Sequence, residues 1–232
     1  RTPTVCNIND NREKILALSL KNNIQQIPLV DNNGKLVGLE VFKELLKSKT
    51  RTNKVVLMAG GLGSRLRPLT DNKPKPMLHV GNKPILETII ENFAKHGFTE
   101  IILSVNYLSH VIKEYFGDGS KFGVNIEYIQ EEKRLGTAGA LSLMRDQLKE
   151  PFFVSNADLL TNVNYEHLLK FHNQMNANAT MCVREYDFQV PYGVVNIENE
   201  KILSIDEKPI HSFFVSAGIY MLSPDVLKKI PD

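Results

Sequence analysis

Between Ala59 and Lys75 the chain reads AGGLGSRLRPLTDNKPK, three glycines followed by Arg65, Arg67, Lys73 and Lys75 within eleven residues. Successive backbone N–H groups in a glycine turn form a nest for an anion, and clustered positive side chains neutralise a polyphosphate. The stretch is not a Walker A loop, because the Lys-Ser/Thr ending is absent. It is not the dinucleotide fingerprint either. Counted from Gly61, the third glycine falls on Leu66, whose branched side chain obstructs the close helix and pyrophosphate approach. A tight turn in a solvated basic loop is the competing reading at this point. A second chemical position lies downstream, where the apolar run FFVS (152–155) leads into Asn156 and Asp158. A strand ending there delivers both side chains to the carboxyl edge of a sheet, where open α/β domains bind ligands. An aspartate in that place also suits a helix N-cap.

The elements that position these residues alternate. VVLMA (55–59) is continuously apolar and reads as a buried strand. ILETIIENFAKHG, with Pro84 in front and glycine at its end, reads as a helix. Strands at 101–105, 126–129 and 152–155 alternate with helices over 108–116, 138–148 and 165–175. In the last, Leu168, Leu169, Phe171 and His172 fall close to one face, and His167 and His172 read as surface or helix-flank histidines. From residue 179 the pattern turns to strands, ATMCVRE, YGVVNIE, KILSI and FFVSAGIYML. Together these predict an α/β fold: a three-layer, Rossmann-like domain with a mixed sheet.

The bulk numbers fit a globular protein: 232 residues, 42% hydrophobic and 23% charged. Residues 1–54 carry a net charge of +5 and the remainder −3. The basic residues are scattered and not interleaved with aromatics, which argues against a nucleic-acid partner. Cys6 and Cys182 are too few and too distant for a disulfide framework, and the six histidines form no zinc constellation. No apolar stretch approaches a membrane span and none resembles a secretion signal, so a cytoplasmic location is expected.

Residues 1–50 form a separate small α+β unit. TVCNI reads as a strand, NINDN as candidate caps for a helix over REKILALSLKNN, and Ile15, Ala17, Leu18 and Leu20 as its apolar stripe. Two strands then flank a turn at Asp31-Asn32-Asn33-Gly34, and VFKELLK reads as a closing helix. So small a unit buries little surface and needs a partner. KSKTRTNK (47–54) reads as the linker. The Ile27-Pro28-Leu29-Val30-Asp31 and Gly34-Lys35-Leu36-Val37-Gly38 runs resemble one repeat of a CBS domain. The resemblance implies pairing with another repeat, and so a homo-oligomer formed through this unit. Val41 and Glu44 stand where that family often places a Thr and an Asp for a nucleotide ribose, which speaks against adenosine-nucleotide binding.

AGGLGSRLRPLT…KPKPMLHVGNKPILE, followed in order by LGTAGAL, SNAD, VPYGVV and EKP, resembles the sugar-1-phosphate nucleotidyltransferases (NDP-sugar pyrophosphorylases) over residues 54–232. The resemblance implies Mg²⁺-dependent transfer of a nucleotidyl group from an NTP to a sugar 1-phosphate with release of pyrophosphate. It implies that Gly60, Gly61 and Gly63 wrap the nucleotide, that Arg65 grips the triphosphate, and that Lys75 contacts the reacting phosphates. Gln130 or Glu131 reads the base edge, Gly136 lies beside base and ribose, and Asp158 binds the metal. Tyr192 and Gly193 form the sugar-side loop, Glu207 holds sugar hydroxyls and Lys208 holds the sugar's phosphate.

The implied mechanism is an in-line attack with no covalent nucleophile. GTP stands ahead of UTP, dTTP or CTP, and the sugar stays open between a hexose and an amino or N-acetylamino sugar. The family supplies a second metal-binding aspartate well beyond AGIYML; Asp225 reads instead as a helix start. The chain is therefore expected to be clipped at both ends. The alternative is a nucleotide- or sugar-phosphate-binding regulatory protein without turnover.

Overall fold

The computed structural model describes residues 3–42, 50–133 and 135–230. The N-terminal unit comprises β1 (Cys6–Asn7), α1 (Arg12–Asn22), β2 (Gln26–Val30) and β3 (Leu36–Val41). β1 pairs parallel with β2, and β2 antiparallel with β3. The Asn11 side chain caps α1 by accepting from the Lys14 N–H. Among the described residues the core here is Cys6, Ile15 and Ile27, flanked by partly buried neighbours. Leu20, expected on the apolar stripe, is exposed, while Ser19 is buried in its place. The closing helix expected over VFKELLK, with Glu44, lies largely outside the described residues.

The linker ends earlier than its composition predicts. The Arg51 N–H donates to the Gly97 carbonyl, and its guanidinium pairs with Glu166 at 3.0 Å and sits over the Phe98 ring. Residues 51–54 thus belong structurally to the second unit.

That unit starts with β4 (Val55–Met58), the short ribbon β5 (His79–Val80) and β6 (Lys83–Pro84), and α2 (Ile85–Lys95). It continues with β7 (Glu100–Val105), α3 (Ser109–Phe116), β8 (Asn125–Gln130), α4 (Gly136–Gly139), β9 (Phe152–Asn156) and α5 (Tyr165–Gln174). Four longer strands follow: β10 (Ala179–Gln189), β11 (Gly193–Glu198), β12 (Lys201–Glu207) and β13 (Ile210–Leu222). The main sheet runs β10-β13-β9-β4-β7-β8, with β8, β7, β4 and β9 parallel, β13 antiparallel to β9 and β10 antiparallel to β13. This is the mixed, Rossmann-like sheet. Its parallel strands bury both faces. Val55, Leu57, Leu103 and Phe153 pack with α2, α3 and α5 on one side. Val56, Ile102 and Val154 pack with Leu141, Met144, Leu148 and Leu227 on the other.

Two expectations are corrected. The helix expected over 138–148 is the single turn α4, passing at Ala140 into a 3-10 segment that ends at Met144. Gly136 and Gly139, both in that first turn, are poor helix formers. His172 is not a flank histidine but is fully buried, whereas Phe171 is 42% exposed. The Ser223 hydroxyl donates its one hydrogen to the Ala177 carbonyl, so His172 Nε2 must donate to Ser223 Oγ at 3.0 Å. Nδ1 then accepts from Thr180 Oγ1 at 2.8 Å. The ring is neutral, and burial holds its pKa below the ordinary 6.5.

No helix among the described residues is long and apolar enough to cross a membrane.

Candidate functional site

β4 lies between β7, to which the chain runs next, and β9, to which it returns from β8 on the other flank, so the strand order reverses at β4. Such a switch point opens a crevice beyond the carboxyl ends of the strands. The glycine loop leaves β4 there, and Asp158 follows β9. A cleft of about 500 Å³ occupies the place. Gly60, Gly61, Gly63, Arg65, Lys75, Glu131, Gly136 and Asp158 all line it, as does Asn156.

Each part of the lining has a local cause. Gly63 has φ +64°, and a Cβ there would lie 2.9 Å from Thr70 Cγ2. Thr70, buried, donates its hydroxyl to the Gly63 carbonyl at 2.9 Å and so ties the loop to its own return. Ser64–Leu66 turns as a 3-10 segment that puts Arg65 on the cleft wall, and among the described residues Arg65 makes no ion pair. Lys75 opens a second 3-10 turn, and its ammonium donates to Asp158 Oδ2. Both partners stay partly exposed, at 38% and 27% of their side chains.

Gln130 and Glu131 part company. The Gln130 side chain is exposed and accepts from Lys113 Nζ at 3.2 Å, away from the cleft lining. Glu131 is 8% exposed; its Oε1 accepts from Ser104 Oγ at 2.6 Å, and its carbonyl accepts from Asn106 Nδ2 at 2.7 Å. A Cβ on Gly60 would lie 2.9 Å from Glu131 Oε1, so glycine is what lets this carboxylate settle against the loop.

The residues expected on the sugar side form a second group, none of which lines the cleft. Gly193 faces Glu207 across the β11–β12 ribbon. The Lys208 N–H donates to the Tyr192 carbonyl at 3.3 Å, and Lys208 Nζ lies 3.8 Å from Glu207 Oε1. Lys208 has the left-handed φ of 49°, and Tyr192 is 74% exposed. β13 bends at Gly218 (φ +70°), where its register against β10 shifts. A Cβ on Gly218 would lie 2.7 Å from Asn156 Nδ2, so the bend lies against Asn156 of the cleft.

Thr70, Ser104 and Asn106 escape a reading from sequence. Ser104 leaves one trace, a lone hydroxyl in the otherwise apolar strand interior IILSV.

Among the described residues no group of three or more His, Cys, Asp or Glu could hold a metal. The donor set still suits Mg²⁺, which is usually held by one or two carboxylates together with substrate phosphates and water. Asp158 offers one partly exposed carboxylate in a cleft that Arg65 and Lys75 also line.

An open α/β domain with a basic, glycine-floored cleft at its switch point belongs to the class that binds nucleotide phosphates. Residues 54–232 match the nucleotidyl transferase family, and the chain belongs to that family. The N-terminal unit lies outside the matched range.

The chain is 41% identical over 188 residues to the probable mannose-1-phosphate guanylyltransferase 1 of Oryza sativa subsp. japonica, covering 76% of this chain and 52% of that protein. It is 39% identical over 184 residues to the mannose-1-phosphate guanylyltransferase catalytic subunit beta of Dictyostelium discoideum, with 76% and 51% covered. The chain thus spans about half the length of the curated relatives it matches. Among solved structures, HddC from Yersinia pseudotuberculosis complexed with GMP-PN aligns with a TM-score of 0.61 at 26% identity, over 78% of this chain and 81% of that one. A putative glucose-1-phosphate thymidylyltransferase from Bacillus anthracis in complex with a sucrose aligns with a TM-score of 0.61 at 27% identity, over 76% and 74%.

Proposed function

We propose that this protein transfers a guanylyl group from GTP to a sugar 1-phosphate, with mannose 1-phosphate as the first candidate, giving a GDP-sugar and pyrophosphate. The observation that carries the reading is the convergence of Arg65, Lys75 and Asp158 on the one cleft that Glu131 also lines. The guanylyl and mannose assignments draw further support from what the rice and Dictyostelium relatives are named for.

A phosphate oxygen of the sugar 1-phosphate attacks the α-phosphorus of GTP, and the bond to the β-phosphate oxygen breaks. The nucleophile is already an anion, so no general base is required. Work on the protein's side is alignment and charge neutralisation. Arg65 pairs through its planar fork with the oxygens of the departing pyrophosphate. Lys75 exchanges Asp158 for the α-phosphate, where negative charge builds in the transition state. Gly60, Gly61 and Gly63 let the main chain approach the phosphates, and Gly136 lies beside the ribose and base. Lys208 screens the sugar's phosphate, Glu207 accepts from sugar hydroxyls, and Tyr192 and Gly193 shape that side. Asp158, once released by Lys75, would hold Mg²⁺, which when bound would supply charge neutralisation on the triphosphate. Residues 1–50 serve as a CBS-like packing unit through which two copies associate.

The test is pyrophosphate release with Mg²⁺, crossing GTP, UTP, dTTP and CTP with a panel of sugar 1-phosphates. Release that requires both GTP and a sugar 1-phosphate is the expected result. Tight GTP binding without release for any sugar would favour a nucleotide-sensing protein instead. Sedimentation of the same preparation reads out the association of the N-terminal units, and a monomer at every concentration would remove that part.

A further inference from the structure

Ser104 is completely buried on β7, paired in register with Met58 of β4 and Ile129 of β8. It shares the sheet face of Ile102, an otherwise apolar layer. A hydroxyl in such a layer is costly without a partner. Its partner is the Glu131 carboxylate, through Oε1 at 2.6 Å. The Glu131 main chain is pinned twice more, its N–H donating to the Val105 carbonyl at 2.9 Å and its carbonyl accepting from Asn106 Nδ2 at 2.7 Å. Gly60 closes the remaining side, since a Cβ there would meet Oε1 at 2.9 Å. The carboxylate is therefore held at one oxygen, with Oε2 accepting from none of the described residues.

A fixed carboxylate accepts and never donates, and its two oxygens together have room for more than one donor. The base edge that suits it presents two adjacent donors, as guanine does with N1–H and the 2-amino group. Uracil and thymine present one N–H between two carbonyls, whose oxygens would face the carboxylate. Adenine and cytosine present one amino donor beside an acceptor nitrogen. A carboxylate free to rotate could turn to meet a single donor; one clamped by Ser104 against Gly60 cannot. A site built to pair with specific donors rejects bases lacking them, because its own polar group is left unpaired.

We infer that Ser104 is a positioning residue that sets nucleobase selectivity by holding Glu131 as a fixed acceptor for guanine. The inference rests on the guanylyl-transfer reading and adds a selectivity element that lies outside the cleft lining.

Calorimetric titration of the full chain with GTP and with UTP tests it, for the wild type and for Ser104→Ala, Ser104→Cys and Ser104→Thr, with a thermal melt of each. Ser104→Ala should weaken GTP binding about tenfold, the size of one hydrogen bond to a charged group, while UTP moves far less. Ser104→Cys keeps the volume with a poor donor, so it should lose selectivity like the alanine variant even if the latter folds badly. Ser104→Thr keeps the hydroxyl and should restore the GTP preference. Equal weakening of both nucleotides in folded variants, or no change in either, overturns the inference and leaves the reaction intact. A wild-type chain that binds neither nucleotide overturns the guanylyl-transfer reading, and this inference with it.

Discussion

The parallel half of the sheet and the strands beyond its bend are built differently. In β4 and β7 almost every side chain is sealed between two layers; Val55, Val56, Leu57 and Leu103 have no exposed surface. Along β10, β12 and the first half of β13 the apolar side chains stand in solvent, Phe214 at 76%, Ile202 at 67% and Val183 at 51%. The first region holds its shape by packing, which is why Arg65, Lys75 and Asp158 converge on one cleft. The second is held by strand ladders: Gly193 to Glu198 pairs with Lys201 to Glu207, and Ala179 to Gln189 with Ile210 to Leu222. Packed layers place the residues proposed for nucleotide, whereas a ribbon presents those proposed for sugar.

Substitutions can break that contrast. The largest effect is expected in the cleft: Asp158→Asn should lower kcat by on the order of 10²–10³-fold, the scale of losing a key electrostatic group, with an unchanged melt. Wild-type turnover in the folded variant would remove Asp158 from the chemistry. Next, Phe93→Ala empties a site stacked on Tyr165 and edged by Phe98 and Phe153, and should cost about 3–5 kcal/mol in denaturant unfolding. Gly63→Ala should cost about 1–2 kcal/mol for its left-handed backbone alone. The Thr70 contact adds to that and should raise KM for the nucleotide.

A smaller effect is expected from acid. His172 has a lowered pKa in the folded state, so the unfolded chain binds the proton more readily. Its contribution to stability is complete above pH 6.5 and is lost as pH falls below that value. The stability difference between wild type and His172→Gln should shrink over that range; a constant difference would show that the ring does not titrate this way. Smallest is Phe214→Ser on the exposed ribbon, expected to stay within about 0.5 kcal/mol of wild type. A loss matching Phe93→Ala would erase the contrast between the two regions.

Legibility from sequence follows the same division. Val55–Met58 is a continuous apolar run and Phe152–Asn156 opens on one, each between turn signals, so their strands and the residues they deliver can be read directly. The convergence of Arg65, Lys75 and Asp158 follows from strand order, to which the motif order is a guide. Gln130 and Glu131 cannot be separated without knowing where β8 ends, because one step reverses the side a residue faces. His172 is misread because helical spacing shows which residues share a face but not what covers it. Ser104 is invisible for the opposite reason: its strand is obvious, and the hydroxyl looks like an interruption until its partner 27 positions later is known.

β10 carries a last consequence. It ends the sheet, bonded to β13 on one side. Among the described residues no strand pairs with its other edge, and an open ladder along an eleven-residue strand would template a passing extended chain. Arg184, Glu185 and Asp187 stand in that stretch, on a strand whose apolar neighbours are open to water. Charges so placed act as gatekeepers, making a foreign strand bury or repel them before it can pair. Arg184, Glu185 and Asp187 thus guard the open edge of the sheet against strand addition.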